Sequence, residues 1–343
     1  LSPFAGFLAD RFGRVKVILV SLLVWSAVTW LTGHARNLGE LLTARALMGI
    51  SEACYIPAAL GLVADYHGPR TRSLATGLHQ SGLYAGLVLG GIGGGWMGEH
   101  YGWRFAFTIL GAIGILYVLF LRFALRRPDA GPRSAADVPR FGSSLRSLAA
   151  LPGYRTMATV FTLTSVANWV VYAWLAFYLY ERFGMSLTLA GFSATFYVHA
   201  SSFAGILIGG WLADTWSRRS SRGRLLTQTL GVAIGGPCLF LVGFTDSMAV
   251  LIAALVFYGV GRGLYDCNTM PVLCQIARPD LRSTGYGIFN FASCIAGGVA
   301  TALAGILKDA IGLGAAFQAG AVIVLFSAFL LWRLRLPSEV GRV

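Results

Sequence analysis

Four charged side chains lie deep inside long apolar runs of the sequence. They are Arg45, Glu52, Arg262 and Asp266. A charged group of these types costs roughly 2.5–3.5 kcal/mol at the centre of a membrane helix, so such residues usually face a bundle interior or an aqueous cavity. In that setting a guanidinium group can bind an anion, and a carboxyl group can take up and release a proton.

The spacing of these residues separates two kinds of pair. Arg45 and Glu52 are seven residues apart, which puts them on one helix face and about 10 Å apart along the helix axis. This separation is too long for an easy direct bridge, so the two side chains can face one cavity and bind different parts of a ligand. Arg262 and Asp266 are four residues apart and can pair directly. A neutralised structural pair explains them as well as a functional one.

Glu52 has no basic residue three or four positions away. Burial favours the neutral form of an unpaired carboxyl group, which suits a residue that carries protons. We therefore predict proton coupling at Glu52, with Asp266 as a second candidate. For Arg45 we predict binding of a substrate anion, and the alternative is a pair with an acid on a helix that precedes Leu1.

The composition is that of a helical membrane protein. Of the 343 residues 56% are apolar and 12% are charged, against about 25% charged in soluble proteins, and the mean hydropathy is +0.68. These values exclude a soluble enzyme, a disordered chain and a fibrous repeat. Ten runs reach the roughly 20 apolar residues that a membrane helix needs: 15–34, 40–64, 73–97, 103–125, 155–180, 187–213, 224–244, 247–276, 284–307 and 314–334. The polar segment 126–153 is predicted to be a linker between two halves, 1–125 and 154–343.

The basic residues predict the orientation of the chain. Of the 27 Lys and Arg residues, 21 fall on the side of the first loop and four on the opposite side. We therefore predict a multi-pass protein of a bacterial inner membrane, with the first loop, the linker and the C-terminus in the cytoplasm. The net charge of +13 then reflects membrane topology, and nucleic-acid binding is not expected.

The first loop belongs to an internal repeat. Gly6-Phe-Leu-Ala-Asp10-Arg-Phe-Gly-Arg14 recurs 204 residues later as Gly210-Trp-Leu-Ala-Asp214-Thr-Trp-Ser-Arg218. About 60 residues separate the linker from Asp214, whereas nine precede Asp10. The repeat therefore predicts that about 50 residues, one helix and most of a second, precede Leu1 in the intact protein. That protein would have twelve spans, arranged as six plus six.

The first copy resembles the loop signature between helices 2 and 3 of the major facilitator superfamily, and the second resembles its degenerate form between helices 8 and 9. The resemblance implies two pseudo-symmetric six-helix halves. It also implies a latch that joins the halves in the outward-open state, with Asp65 as a partner of Arg14. The predicted latch residues are Gly6, Asp10, Arg11, Gly13, Arg14, Asp65, Asp214 and Arg218. The alternative is that the basic residues only set the topology.

The run around Arg45 carries a second resemblance. Arg45-Ala-Leu-Met-Gly49-Ile-Ser-Glu52-Ala53, followed by Pro57, resembles helix 4 of the anion:cation symporter branch of this superfamily. That branch moves sugar acids and other organic anions, often with protons. The resemblance implies that Arg45 lies near the substrate carboxylate and that Glu52 lies on the proton path. Spinster-like lipid transporters have a similar helix, so the substrate class has an alternative.

Uncharged polar residues supply further candidates for substrate binding, although a helix–helix hydrogen bond is the commoner role of such residues. The candidates are Tyr55, His79, Gln80, Asn168, Tyr172 and Asn290, beside Arg262. For His199 we predict a packing role. A stripe of glycines, which predicts close packing against another helix, consists of Gly82, Gly86, Gly90, Gly94 and Gly98.

Together these patterns predict an all-α bundle that is a secondary active transporter, moving a small organic anion such as a sugar acid by alternating access. Proton-coupled symport is the expected energy source. A drug or lipid exporter of the same fold is the alternative, and a non-transporting receptor or scaffold is an alternative of another class. No phosphate-binding G-x-x-x-x-G-K-[ST] or C-x-x-C spacing occurs, so no enzyme activity, cofactor or metal is expected. The expected partners are the substrate, protons and the lipid bilayer, and the expected state is a monomer.

Overall fold

The computed structural model of the protein describes residues 1–125 and 140–336, and almost all of them are α-helical. The helices of this described part are α1 (Ser2–Phe12), α2 (Arg14–Thr32), α3 (Leu38–Tyr66), α4 (Arg72–Tyr101), α5 (Trp103–Ala124), α6 (Phe141–Ala150), α7 (Tyr154–Phe183), α8 (Leu187–Trp216), α9 (Gly223–Phe244), α10 (Met248–Ile276) and α11 (Arg282–Arg333). A 3₁₀ turn at Pro279–Leu281 precedes α11. Each predicted apolar run coincides with a helix, or with a segment of α11, to within a few residues.

Eight helices of the described part are long and apolar enough to cross a membrane. They are α2, α3, α5 and α7 to α11. The helix α4 is 30 residues long but contains nine glycines, which lower its hydropathy. The all-helical membrane fold therefore agrees with the prediction, whereas the number of ten spans stays a prediction.

Two glycines with positive φ decide where helices begin and end. Gly13 has φ 96° and alone separates α1 from α2. Gly312, with φ 75° and ψ 154°, interrupts α11 between the two apolar runs predicted there. Residues with a Cβ atom rarely adopt this backbone conformation, so glycine is required at both positions.

The described residues fall into two units by their internal contacts. Unit 1 is formed by the described residues of Leu1–Tyr66, Leu89–Leu148 and Ala277–Ile288. Unit 2 is formed by those of His67–Val88, Ala149–Ile276 and Phe289–Val343. Each unit thus combines residues from both predicted halves of the sequence, and the division into halves at the linker stays a prediction.

In unit 1 the core joins α1, α2 and α3 through small and branched side chains. Its buried members are Ala9, Ile18, Ala58, Ala59 and Leu62. Helix α5 approaches α2 at Gly111, where an added Cβ would lie 2.4 Å from the backbone nitrogen of Trp30. Backbone contact of this kind needs a residue without a side chain.

In unit 2 the helices α8, α9 and α10 pack against each other through glycines. A Cβ added at Gly263 of α10 would lie 2.4 Å from the carbonyl oxygen of Ser202 on α8. A Cβ added at Gly231 of α9 would lie 2.3 Å from the carbonyl oxygen of Gly261. These close approaches fix the position of α10, which carries Arg262 and Asp266.

Two predicted features look different in the structure. The linker is more than a plain connection, and the glycine stripe is not packed against a described helix. Helix α6 occupies part of the linker, and residues 126–139 of it lie outside the described part. A Cβ added at any stripe glycine would have no described atom within 4 Å, which holds for Gly82, Gly86, Gly90, Gly94 and Gly98. The partner expected for this stripe is therefore not among the described residues.

Candidate functional site

In unit 1 the side chain of Asp10 binds the first turn of α11. Its Oδ2 accepts hydrogen bonds from the Thr284 N–H at 2.8 Å and from the Thr284 hydroxyl at 2.9 Å. Its Oδ1 accepts the Ser283 N–H at 3.3 Å. The first N–H groups of a helix have no partner within the helix and carry partial positive charge, so a carboxylate there is stabilised. The side chain of Asp10 is 1% exposed, which excludes water from these bonds.

Arg14 connects this carboxylate to a second acid. Its Nη2 donates to Asp10 Oδ1 at 2.8 Å, its Nε donates to Ser283 Oγ at 2.9 Å, and its Nη1 donates to Asp65. Nη2 also donates to the carbonyl oxygen of Pro279 at 2.6 Å. One guanidinium therefore joins two carboxylates and the entry to α11. A lysine ammonium group lacks the planar set of donors that this arrangement uses.

The other residues of the predicted latch in unit 1 have different roles. A Cβ added at Gly6 would lie 2.1 Å from the carbonyl oxygen of Ser283, so the backbone of α1 touches that of α11. Arg11 is exposed, its guanidinium lies near the rings of Phe7 and Phe12, and it forms no ion pair with any residue the structure describes.

Unit 2 contains the same arrangement at the start of α4. Asp214 Oδ1 accepts the Ser73 N–H at 3.2 Å, and its Oδ2 accepts the Leu74 N–H at 2.9 Å. Arg224 Nη2 donates to Asp214 Oδ1 at 3.0 Å, and Arg224 Nε donates to Ser73 Oγ at 2.9 Å. The side chains of Arg224 and Asp214 are 3% and 7% exposed. A buried arginine and a buried aspartate thus hold a helix N-terminus in each unit.

Arg224, rather than the predicted Arg218, is the basic partner in the second cluster. Arg218 is exposed and pairs with no acid in the part of the chain that the structure describes. The cause is a longer loop, because ten residues separate Asp214 from Arg224 whereas four separate Asp10 from Arg14. The repeat offset of 204 that aligned the aspartates therefore does not apply to the arginines.

A second sequence signal identifies Arg224. Pro69-Arg-Thr-Arg-Ser73 and Pro279-Asp-Leu-Arg-Ser283 share their first, fourth and fifth residues at an offset of 210, and Arg14 and Arg224 have the same offset. Arg224 also donates to the carbonyl oxygen of Pro69, as Arg14 does to that of Pro279. Alignment of these two short segments would have found the partner.

Arg45 and Glu52 lie on α3 in unit 1, and both are exposed. Neither forms a hydrogen bond or an ion pair with residues 1–125 or 140–336, in agreement with a spacing too long for a direct bridge. The Arg45 guanidinium lies 5.4 Å from the centre of the Phe107 ring. Beside it is a groove of about 360 Å³, lined by Leu41, Leu42, Trp103 and Phe107. Both charged groups are thus available to a ligand.

Arg262 and Asp266 pair on α10 in unit 2, with 3.2 Å between Arg262 Nε and Asp266 Oδ2. The hydroxyl of Tyr84 on α4 donates to the same oxygen. The Arg262 guanidinium lies 5.0 Å from the ring centre of Tyr84 and 4.7 Å from that of Tyr172. The His199 ring stacks on that of Tyr172 with 5.5 Å between the centroids, and it lies tilted against that of Tyr84 at 5.3 Å. Tyr84, Tyr172 and His199 form what we call the aromatic cage.

Sequence reasoning did not single out Tyr84. A tyrosine within a glycine-rich apolar run gives no local signal of an acidic partner 182 residues away. His199, for which packing was predicted, and Tyr172, a predicted binding residue, both belong to the cage and lie against each other.

The remaining candidates lie on several helices. In unit 2, Asn168 Oδ1 accepts the Tyr258 hydroxyl at 2.7 Å. His79 and Gln80 are half-buried on α4, and Asn290 is half-buried on α11.

In unit 1, the ring of Tyr55 on α3 meets that of Trp25 edge to face, with 6.2 Å between the ring centres. No group of three or more His, Cys, Asp or Glu residues in the described part could hold a metal ion. The candidate site therefore consists of arginines, acids and aromatic rings.

The family model described as Major Facilitator Superfamily matches residues 1–301 of the sequence. The chain belongs to the Major Facilitator Superfamily. This agrees with the resemblance of the first loop, and with the prediction that the protein is not an enzyme.

Relatives of this superfamily member include sugar-acid transporters. It is 27% identical to the "Probable galactarate/D-glucarate transporter GarP" of Escherichia coli K12, over 95% of this chain and 79% of the relative. It is 26% identical to the "D-galactonate transporter" of Escherichia coli O6:H1, over 98% of this chain and 83% of the relative. An "MFS-type efflux pump" of Mycolicibacterium smegmatis is 26% identical over 93% of this chain and 75% of the relative.

Solved structures share the fold. The human organic anion transporter MFSD10 (TETRAN) matches with a TM-score of 0.82 and 18% identity, over 96% of this chain and 80% of that one. The Escherichia coli fucose:proton symporter FucP matches with a TM-score of 0.79 and 17% identity, over 97% of this chain and 87% of that one. These structures show the fold, and membership of the superfamily identifies the protein as a multi-pass membrane transporter.

Proposed function

We propose that the protein is a secondary active transporter of small organic anions of the sugar-acid class, working by alternating access with proton symport. The observation that carries the proposal is Arg45, a guanidinium within a membrane span that pairs with no acid among the described residues. An unpaired charge in such a place is a functional site by default, since its insertion is costly. The sugar-acid transporters among the relatives supply the class of anion.

The architecture that fits this function has ten spans in the printed sequence. The 30 residues of α4 extend about 45 Å, which exceeds the roughly 30 Å of bilayer hydrocarbon in spite of the glycines. The two segments of α11 on either side of Gly312 supply two further spans. We place the motif loop, the linker and the C-terminus in the cytoplasm of a bacterial cell, on the basis of the arginine distribution. We propose a monomer, because one chain contains every residue to which a role is assigned in the following paragraphs.

The charged residues have separate roles, because one binds the substrate and another carries the proton. Arg45 binds the substrate carboxylate through two parallel hydrogen bonds. Glu52, on the same helix face, carries the proton, with Asp266 as the second candidate. The other proposed binding residues are Tyr55, His79, Gln80, Asn168, Tyr172, Arg262 and Asn290.

The two buried clusters act as a conformational latch. One joins the loop of Asp10 and Arg14 to the start of α11, and the other joins Asp214 and Arg224 to the start of α4. In each case a loop from one sequence half binds a helix of the other half. Opening toward the cytoplasm must separate these groups, so the clusters stabilise the state that is closed on that side.

An exporter of drugs or lipids is the second candidate, favoured by the efflux pump among the relatives. Its solute would not need a cationic partner. Dependence of transport on Arg45 therefore separates the two candidates.

The decisive experiment is uptake by proteoliposomes that contain the purified protein. We expect D-galactonate or D-glucarate to accumulate when the lumen is made alkaline, and we expect no accumulation without the pH gradient. Arg45→Lys should severely impair uptake, whereas the matched control Arg36→Lys, outside the spans, should leave it unchanged. Export of an apolar dye without uptake of any sugar acid would replace the proposal by the exporter. The absence of both activities would favour a receptor or scaffold.

A further inference from the structure

Tyr84 is the point at which α4 reaches the ion pair of α10. Its side chain is 4% exposed and packs with the buried side chains of Ile206 and Cys267. About two helical turns before Tyr84 lies Gly77. A Cβ added at Gly77 would lie 2.8 Å from Ile206 Cγ2, so this stretch of α4 lies close against α8. The Tyr84 hydroxyl therefore reaches Asp266 from a helix that is firmly seated in unit 2.

The Arg262 side of the ion pair has hydrogen-bonding capacity left over. Asp266 Oδ2 accepts hydrogen bonds both from Arg262 and from Tyr84. Arg262 Nη1 is buried and also lacks a partner within the described ranges. A buried donor without a partner is costly. A hydroxyl group both accepts and donates a hydrogen bond, so a ligand hydroxyl can accept from Arg262 and donate to the Asp266 carboxylate.

A cavity of about 30 Å³ adjoins the Arg262 guanidinium. It is also lined by Asn168 and Tyr258, whereas Asp266 and Tyr84 are not among its lining residues. The volume of this cavity is about that of one water molecule. The side chain of Tyr172 is 43% exposed whereas those of Tyr84 and His199 are buried, so the cage is open on the side of Tyr172 and closed on the side of α4.

We propose that Arg262 and Asp266 form a hydroxyl-binding subsite for a polyhydroxylated organic acid, and that Tyr84 is its gate. In the closed arrangement the Tyr84 hydroxyl donates a hydrogen bond to the Asp266 carboxylate, where a substrate hydroxyl would otherwise bind. When the substrate binds, its hydroxyl donates to this carboxylate instead, and the Tyr84 hydroxyl leaves. This inference rests on the proposed transport of sugar acids and assigns the part of the substrate that this cluster recognises.

The geometry makes this exchange inexpensive. Arg262 and Asp266 are four residues apart on one helix, so they remain paired when Tyr84 leaves and no isolated charge is created. One hydroxyl replaces another at the same carboxylate, so the number of hydrogen bonds to Asp266 is conserved. An anion without hydroxyl groups cannot donate a hydrogen bond to this carboxylate, so it does not displace Tyr84 and gains nothing from the subsite.

Competition between the tyrosine and the substrate predicts that removal of the tyrosine hydroxyl tightens binding. We expect Tyr84→Phe to lower the Kd of D-galactonate about 10-fold, the factor for loss of a hydrogen bond to a charged group. Tyr197→Phe, whose hydroxyl binds no described residue, is the matched control and should leave the Kd unchanged. Hexanoate, a six-carbon acid without hydroxyl groups, should show no gain from Tyr84→Phe. An equal or weaker affinity of Tyr84→Phe for D-galactonate would overturn the proposal.

A readout without any substrate tests the gate independently of the transport function. In a variant that retains Cys267 and has serine at the other four cysteines, the rate of alkylation by N-ethylmaleimide reports how often the contact of α4 opens, because Cys267 is fully buried. Tyr84→Phe should raise this rate about 10-fold and Tyr197→Phe should not change it. An unchanged rate in Tyr84→Phe overturns the gate whether or not D-galactonate binds. A faster rate without D-galactonate binding supports the gate and contradicts the proposed substrate class instead.

Discussion

Neutralising the aspartate of each buried cluster should have unequal effects, because the two arginines differ in their acidic partners. Arg14 binds both Asp10 and Asp65. Arg224 binds Asp214 alone among the acids of the described residues. Asp214→Asn therefore leaves a 3% exposed guanidinium with neutral partners only, whereas Asp10→Asn leaves Arg14 with one carboxylate.

The magnitudes follow from these partners. Removal of one member of a buried ion pair costs about 3–5 kcal/mol. Loss of charge on one of two acids costs about 1.5–3 kcal/mol, the range for hydrogen bonds to charged groups. Asparagine keeps one acceptor oxygen for the helix N-terminus in both cases. We therefore expect Asp214→Asn to lower the free energy of unfolding by about 1–2 kcal/mol more than Asp10→Asn does.

The assay is equilibrium unfolding in mixed micelles with increasing SDS, followed by helical circular dichroism. Asp65→Asn serves as the internal control, because the double variant Asp10→Asn with Asp65→Asn removes both acids from Arg14. The double variant should lose more than either single variant, since it leaves Arg14 with no acidic partner among the described residues. Equal losses for Asp10→Asn and Asp214→Asn, or a double variant as stable as the single variants, would refute the reasoning.

Three further changes test the site and the packing. Glu52→Gln should remove accumulation driven by a pH gradient while exchange of internal for external substrate continues, because Gln keeps the shape but cannot cycle a proton; unchanged accumulation would exclude Glu52 as the coupling residue. Arg45→Lys should weaken anion binding at equal folded yield by about 10-fold or more, since an ammonium group cannot form two parallel hydrogen bonds; equal affinity would remove Arg45 from the site. Gly6→Ala should lower the free energy of unfolding by about 1–3 kcal/mol, because the added methyl group clashes with the backbone of α11. Gly142→Ala, with open space around its Cβ, should not lower it. Equal melting temperatures of the two variants would contradict the close contact.

Local properties of the sequence were sufficient to locate the helices. The length and apolarity of each run depend on neighbouring residues alone, so the runs agree with the helices to within a few residues. The repeat identified Asp10 and Asp214, and both bind a helix N-terminus. Arg45 and Glu52 could be proposed as site residues because a charge in an apolar run is visible without any knowledge of the fold.

Contacts between distant parts of the chain needed the tertiary structure. Arg224 replaces the predicted Arg218 because the second loop is six residues longer, and the glycine stripe of α4 has no neighbour in the described part of the chain. Tyr84 reaches Asp266 across 182 residues of sequence.

The sequence by itself indicated that this protein is a helical membrane transporter of the major facilitator type, and it predicted which charged residues lie inside the membrane. Hydropathy, charge and repeat spacing suffice for this, because the cost of burying each residue depends on its own chemistry. Only the tertiary structure decided which groups meet. Among the described residues Arg14 binds two acids and Arg224 binds one, and Arg262 lies against rings from α4 and α7. Such partners depend on how closely helix backbones approach each other, which glycines at the contact points control.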